Sequence, residues 1–480
     1  MSNNRPEILD FFGFTPTSSQ NEVIKELQNF FAQAPEHSIF LLRGYAGTGK
    51  SSLVGAFSHM LQSFLYPQML LAPTGRAAKV LEGYCGVPAY TIHRTIYRQR
   101  ISGDGVSYEV GYNQHQPGTI YIVDEASMIN NANDGYGSFG SNRLLDDLVD
   151  FCFSIEGSKL LLIGDDAQLP PVGTEMSPAL MPEYLVGFCS TLYQGVLKDI
   201  VRQEEGGEIV YLSYLLRGRI LDLQSGEDWH EPLLPLPEVK GEVEIISGYD
   251  LPEMMEDSYR RVGQEDTLLI TRSNRDAEEY NKSIRYHTLY YDEEVVPGEN
   301  LMVVRNNYLH FPVDEKGQAT STFIANGEIL KVLNSRREQE LYGFTFRDAE
   351  LRDTHGGFVS AKVLLDSLFT QAPSLTPEQR ERLYQGVCQD YPDCTTRRML
   401  YQKLRQDPYL NALQIKYSYA MTCHKAQGGQ WREVYLSFGY LTPEMIDLSF
   451  CRWLYTAMTR ATEKLYIIQP PAFIFGNLEL

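Results

Sequence analysis

Residues Gly44-Tyr-Ala-Gly-Thr-Gly-Lys-Ser51 decide how this chain is read. They fit the phosphate-binding loop pattern G-x-x-x-x-G-K-[ST] at every fixed position. The apolar run Ile39-Phe-Leu-Leu42 stands before them and reads as a short buried strand, and Ser52-Leu-Val-Gly-Ala-Phe57 after them predicts a helix. Strand, glycine loop and helix are the context a polyphosphate requires. The glycines let the backbone wrap the phosphates, so that loop amides and the helix N-terminus point at the anionic oxygens. Gly44, Ala46, Gly47, Thr48, Gly49, Lys50, Ser51 and Ser52 are the expected lining. Lys50 is expected to reach the terminal phosphates, and the Ser51 hydroxyl to ligate Mg2+. The loop predicts a nucleoside triphosphate site.

A chain of 480 residues is too long for one compact core, and roughly three domains are expected. Hydrophobic content of 43% and charged content of 22% are those of a soluble globular protein. No apolar run approaches the ~20 residues that span a bilayer, so no membrane association is expected. The start, Met1-Ser-Asn-Asn-Arg-Pro-Glu7, lacks the basic and apolar segments of a secretory signal. Seven cysteines occur without a C-x-x-C pair, which argues against a zinc site or a disulfide framework. These features predict a reduced, cytoplasmic protein. The net charge of −20 counts mildly against nucleic-acid binding without excluding it: an acidic exterior with a basic channel is compatible with that charge, and binding would be strongly salt-sensitive.

Short apolar runs alternate with helix-like segments: Met69–Ala72, Ile120–Val123, Leu160–Ile163, Thr267–Ile270, Val434–Phe438 and Leu465–Ile468. This alternation predicts an α/β fold with parallel sheets, with ligands at the carboxyl ends of the strands. The strands fall into two groups, one at 36–200 and one at 240–290 plus 413–472. Domain limits follow at 1–200, at 201–292 with 413–480, and at an insertion, 293–412, between the last two. The first half of the insertion, rich in Val, Thr, Phe and Tyr with turn signals, predicts a small antiparallel barrel. Its second half, Pro377–Leu404, is charged and helical. A hairpin insertion is expected at Tyr97–Thr119 and a mobile loop at Asn130–Ser141.

Two further strand ends carry chemistry. Ile120-Tyr-Ile-Val ends in Asp124-Glu125, which beside a phosphate loop suits Asp124 to hold magnesium and Glu125 to polarise the attacking water. Leu161-Leu-Ile-Gly opens into Asp165-Asp-Ala-Gln168, where Gln168 can read the terminal phosphate and Asp165 can support the magnesium shell.

Taken together, Pro73–Ala78, Thr91-Ile-His93, Asp124–Ser127, Gly164–Gln168, Val201-Arg-Gln203, Thr422–Gly428 and Tyr455–Arg460 occur in an order that resembles the superfamily 1 (1B) DNA helicases of the RecD-like and Dda-like branch. The resemblance runs from about residue 15 to 470. It implies two RecA-like parallel-sheet domains that clamp one ATP with Mg2+ between them. It also implies a hairpin insertion in the first domain, and an SH3-like barrel with a helical extension in the second. Gln20 then reads the adenine edge, Arg202 and Arg460 approach the terminal phosphate, and Gly429 joins the nucleotide side. Guanidinium groups suit the charge that spreads over phosphoryl oxygens in the transition state. Pro73, Thr74, Arg76, Thr91, His93, Thr422 and His424 become contacts to single-stranded DNA, with Lys425 and Gln427 coupling strand to nucleotide. Ala426 departs from the serine common in the family. The hairpin matches the position of a strand-separating pin, with Tyr108 or Tyr112 as wedge, and is equally compatible with a structural flap. Phe311, Asn326-Gly-Glu328 and Lys331 match the SH3-like insertion, whose longer helical tail is open to a protein partner or a fork-facing brace. The implied activity is ATP-dependent, 5′-to-3′ unwinding by a monomer at junctions of single- and double-stranded DNA. A translocase that strips proteins from DNA, or one that acts on RNA, is the alternative. A nucleotide-switched binding protein is disfavoured by the combined presence of Glu125, Gln168, Arg202 and Arg460.

Overall fold

The computed structural model describes residues 6–102, 105–131, 140–199, 207–237, 241–307, 309–318, 324–353 and 356–476. Its first sheet has six strands in the order Ala89–Thr91, Gln68–Ala72, Ile120–Val123, Lys159–Gly164, Ile39–Gly44, Leu192–Leu197, and every neighbouring pair is parallel. Ile120–Val123 and Lys159–Gly164 are buried at every position, as strands covered by helices on both faces must be. The phosphate loop leaves the carboxyl end of Ile39–Gly44, and the Lys50–Ser63 helix begins at its last residues. Asp124 and Asp165 follow the carboxyl ends of two neighbouring strands, which brings them to the same rim.

The second sheet orders Ala420–Thr422, Thr267–Thr271, Trp431–Ser437, Ala461–Ile468 and Val243–Ile246, again all parallel. Between its halves stands a closed barrel of Asn300–Val303, Ile329–Leu341, Phe344–Asp353, Phe358–Leu364 and Leu413–Tyr417. Two expectations are corrected here. The barrel is not wholly antiparallel, because Phe358–Leu364 pairs with Leu413–Tyr417 in parallel. The helical extension lies between those two strands and supplies the long crossover that a parallel pair needs. Leu413–Tyr417 also belongs to the barrel, so the chain returns to the second sheet only at Ala420–Thr422, later than residue 413.

The helical extension holds Pro377–Cys388 and Arg397–Gln406, and packs Leu383, Val387 and Leu404 on the barrel's Phe344, Phe346 and Leu364. The hairpin pairs Tyr97–Ser102 with Gly105–Val110, so its ladder ends well before Thr119. The Tyr97 hydroxyl anchors it by donating to the buried Asp147 carboxylate at 2.7 Å. Tyr112 lies beyond the paired strands and is 86% exposed. The Tyr108 side chain, and residues 132–139 of the expected mobile loop, lie outside the described residues. Among the described residues no helix is long and apolar enough to cross a membrane.

A buried ion pair fastens the barrel to the second sheet. Arg285, in the wide turn that ends the Asn274–Ser283 helix, donates from Nε to Glu299 Oε1 at 2.7 Å. The Tyr419 hydroxyl donates to the same oxygen at 3.0 Å, and the Val296 amide to Oε2 at 3.2 Å. Glu299 is wholly buried, so its charge has no recourse to water if Arg285 is lost. Breaking such a pair from one side costs about 3–5 kcal/mol. Arg285→Ala is therefore expected to lower unfolding stability by about that amount in urea titration. A loss under about 1 kcal/mol, the worth of a surface pair, would contradict this reading.

Candidate nucleotide site and nucleic-acid cleft

The phosphate loop has the backbone its glycines permit. Gly47 and Gly49 sit at φ +75° and +80°, the left-handed region that other residues rarely enter. A Cβ on Gly44 would lie 3.0 Å from Leu197 Cβ and from Thr48 Oγ1, so the loop closes tightly over it. Lys50 Nζ donates to the carbonyls of Gly44 and Tyr45 at 2.7 and 2.9 Å and lies 3.8 Å from Asp165 Oδ2. Ser51 and Ser52 occupy the first turn of the Lys50–Ser63 helix. Gln20 is 1% exposed, not an open helix residue. Its Oε1 accepts from the Thr17 amide at 2.9 Å in a capping box, and its Nε2 donates to the Thr48 carbonyl at 2.9 Å. Both ends of the amide are tied to protein, and one is tied to the phosphate loop itself.

Glu125 has φ +53°, strained for a residue with a Cβ and held by its surroundings. Its amide donates to Asp124 Oδ1 at 2.8 Å. Burial, and then the neighbouring Glu125 charge, push the Asp124 carboxyl up to about 6. A half-buried carboxyl beside a second acid suits a cation. Among the described residues no group of three or more His, Cys, Asp or Glu forms a metal cage. Magnesium shared with phosphate oxygens needs only one or two protein oxygens, which Asp124 and Ser51 can supply.

The far wall comes from the second sheet. Arg460 is 4% exposed, with a guanidinium nitrogen 3.7 Å from Glu125 Oε1 and another bond, 3.2 Å, to the Gly429 carbonyl. Gln168 is buried, and its Oε1 has no hydrogen-bond partner. The next residue is gripped from both sides: the Leu169 amide donates to Thr456 Oγ1 at 2.8 Å, and Gln427 Nε2 donates to the Leu169 carbonyl at 2.6 Å. Arg202 lies outside the described residues.

Two residues that the sequence reading did not single out also reach the loop. The Tyr455 hydroxyl accepts from the Ala46 amide at 2.8 Å and donates to Asp165 Oδ2 at 2.7 Å. Arg217, on the Glu208–Ser225 helix, lies over the Tyr45 ring and 3.7 Å from Asp166. A signal for the first was present. Arg452, Tyr455, Thr456, Thr459 and Arg460 recur at i, i+3, i+4, i+7 and i+8, a polar stripe on the otherwise apolar Leu448–Met458 helix and its end.

A cleft of about 780 Å³ runs between the first sheet's helices, the second sheet's Gln264–Asp266 and Trp431, and the barrel's Ala325–Lys331 edge. Arg76 and Thr91 line it. The Arg76 guanidinium stacks on Trp431 at 3.8 Å and donates to the Gln430 carbonyl at 2.8 Å, so it bridges the two sheets' domains. Thr74 and Thr91 cap the helices they precede, accepting from the Ala77 and Arg94 amides at 3.2 and 3.3 Å. An accepting hydroxyl keeps its own proton for a phosphate oxygen. Pro73 is half-buried beside Thr74. Burial lowers His93 to about 4, and its ring lies 5.5 Å from Tyr97 at the hairpin base. Thr422 does not join this cleft; it lines a smaller pocket with Lys425, Lys416 and Asn274. His424 is exposed on the same short helix as Lys425. The cleft is not a basic channel, the arrangement that the net charge left open. Arg76, Lys79, Arg94, Lys331 and Arg352 are matched by Glu82, Glu265, Asp266, Glu328 and Asp353.

Comparison with known proteins adds a sequence-level result. An AAA domain family matches residues 17–225, and a UvrD-like helicase C-terminal domain family matches 417–468. The chain is 30% identical over 158 residues to the ATP-dependent RecD2 DNA helicase of Deinococcus radiodurans, covering 33% of this chain and 19% of that protein. It is 22% identical over 505 residues to the uncharacterized protein R530 of Acanthamoeba polyphaga mimivirus, covering 91% of this chain and 96% of that one. A Bacteroides Pif1 helicase structure, solved with ADP-AlF3 and ssDNA, aligns over 97% of this chain and 95% of its own at 14% identity and a TM-score of 0.47. The chain thus spans only about a fifth of the RecD2 protein. One matched family covers the phosphate-loop sheet and the other most of the second sheet, and the motifs between them keep their order, so the chain is similar in sequence to superfamily 1 helicases of the RecD-like branch.

Proposed function

We propose that this chain is an ATP-driven motor that moves 5′ to 3′ along single-stranded DNA and separates duplex. The observation that carries the proposal is the shared site: Arg460 and Tyr455 from one sheet meet Glu125, Asp165 and Ala46 of the other. A nucleotide site completed by two domains ties hydrolysis to their closure, and alternating grip on a strand turns closure into steps. Bound ATP with magnesium supplies the phosphoryl group whose transfer to water drives the cycle. Lys50 and the loop amides would hold its phosphates, Ser51 and Asp124 would hold the cation, Glu125 would orient and accept a proton from water, and Arg202 and Arg460 would neutralise developing charge. Gln168, with its unpartnered Oε1, reports phosphate occupancy to the Leu169 contacts with Thr456 and Gln427. Arg76 and Thr91, which line the cleft, present the strand-facing side, with Pro73, Thr74 and His93 next to them in the chain and Thr422 and His424 as strand contacts outside the cleft.

In this reading residues 1–200 form one motor half, 201–292 with 418–480 the other, and the barrel insertion, which includes Leu413–Tyr417, a cover over the cleft. The protein works as a cytoplasmic monomer. The short hairpin ladder, ending at Val110, favours as second reading a translocase that remodels protein–DNA complexes.

Strand displacement on duplexes with a 5′ or a 3′ single-stranded tail tests the proposal, with Lys50→Ala as control. Unwinding of the 5′-tailed duplex alone, lost in Lys50→Ala, is the expected result. Unwinding of the 3′-tailed duplex alone would refute the polarity, and no unwinding with intact DNA-stimulated hydrolysis would support the second reading.

The cleft also predicts a pH effect. Burial lifts the half-buried Glu328 carboxyl to about 7, so it is mostly neutral at pH 6 and mostly charged at pH 8. An added negative charge repels phosphate, so affinity for an oligothymidylate is expected to fall about fivefold from pH 6 to pH 8. Fluorescence anisotropy measures it; the same fall in Glu328→Gln would disprove the assignment.

A further inference from the structure

The phosphate-loop pattern leaves Tyr45 and Ala46 free, yet both are held from the second sheet's domain. The Ala46 side chain packs on the core that contains Tyr455, Leu454 and Met458. The Tyr455 hydroxyl is the sharper contact. It accepts from the Ala46 amide, which fixes its own proton toward Asp165 Oδ2 at 2.7 Å. That oxygen is the one Lys50 faces at 3.8 Å. Tyr455 and Asp165 are each 1% exposed, so water does not mediate between them and Lys50 senses the carboxylate at low dielectric. A donated hydrogen bond draws charge from Oδ2 and weakens its hold on the ammonium. Withdrawal of the Leu448–Met458 helix leaves a buried carboxylate with Lys50 as its remaining cation.

We propose that Tyr455 is a positioning residue that frees Lys50 for phosphate by occupying Asp165 Oδ2, and that it does so only while the two sheets are docked. This rests on the reading of Gly44–Ser51 as the triphosphate site. It extends that reading by giving the loop a sensor of domain closure distinct from the arginines. Tyr455 itself touches no phosphate. It acts on Lys50 through Asp165, and on the loop backbone through the Ala46 amide.

The test is equilibrium binding of the fluorescent nucleotide mant-ATP with Mg2+ to the full chain and its variants. Tyr455→Phe is expected to weaken binding about tenfold, the scale of one hydrogen bond to a charged group. In the Asp165→Asn background the same substitution is expected to cost less than about twofold, because the charge that retains Lys50 is gone. Equal losses in both backgrounds would mean that Tyr455 matters only for packing, and no loss in the first would also overturn the proposal. If Tyr455→Phe folds poorly, Asp165→Asn alone decides, with EDTA in place of Mg2+ so that no magnesium contact enters: binding at least as tight as wild type supports the proposal, and weaker binding overturns it. Lys50→Ala separates the two levels, since unchanged mant-ATP binding there would sink the nucleotide-site reading itself.

Discussion

One carboxylate oxygen, Asp165 Oδ2, is approached from the first sheet by Lys50 and from the second by Tyr455. Asp165 is buried, and burial raises its carboxyl above the usual range against the pull of Lys50 and the Tyr455 hydrogen bond. A buried charge must be compensated at close range, so the groups around it cannot be arranged independently. The loop that folds over Lys50, the helix that carries Tyr455 and the strand that ends at Gly164 are positioned by this one constraint. Arg460 against Glu125 and Arg217 against Asp166 repeat the pattern: a cation from the second domain meets an acid on the rim of the first sheet.

The parallel topology makes that pattern possible. Adjacent parallel strands end at the same edge, so the phosphate loop, Asp124 and Asp165 arrive on one rim although they are far apart in the chain. The second sheet presents a helix face to that rim, and the Arg285–Glu299 pair fastens the barrel to the second sheet. Movement of the second sheet would therefore carry the barrel edge that lines the large cleft. The candidate nucleotide site and the cleft are linked through packed elements, with Arg76 on Trp431 as a second bridge between the halves.

Much of this was legible in the sequence because burial on both faces writes parallel strands as apolar runs, and the acids of the candidate site stand where the runs stop. Ile120–Val123 before Asp124-Glu125 is the plainest case. The insertion was legible in kind but not in closure, since the parallel pairing of Phe358–Leu364 with Leu413–Tyr417 depends on a crossover that local pattern does not encode. Arg217 stayed hidden, and the stripe that carries Tyr455 went unread, because one arginine or tyrosine on a helix points nowhere until the partner domain is placed. The cleft failed for a related reason: net charge and motif positions do not reveal that Glu265, Asp266, Glu328 and Asp353 fold in beside the arginines and lysines.

The central claim is that one nucleotide site is completed by both domains and answers to a bound strand. The most direct measurement is ATP hydrolysis with and without single-stranded DNA, for the wild type and for Arg460→Ala. The account predicts at least about tenfold stimulation in the wild type, and its loss in Arg460→Ala with mant-ATP binding retained. A rate indifferent to DNA, or stimulation that survives in Arg460→Ala, would contradict it.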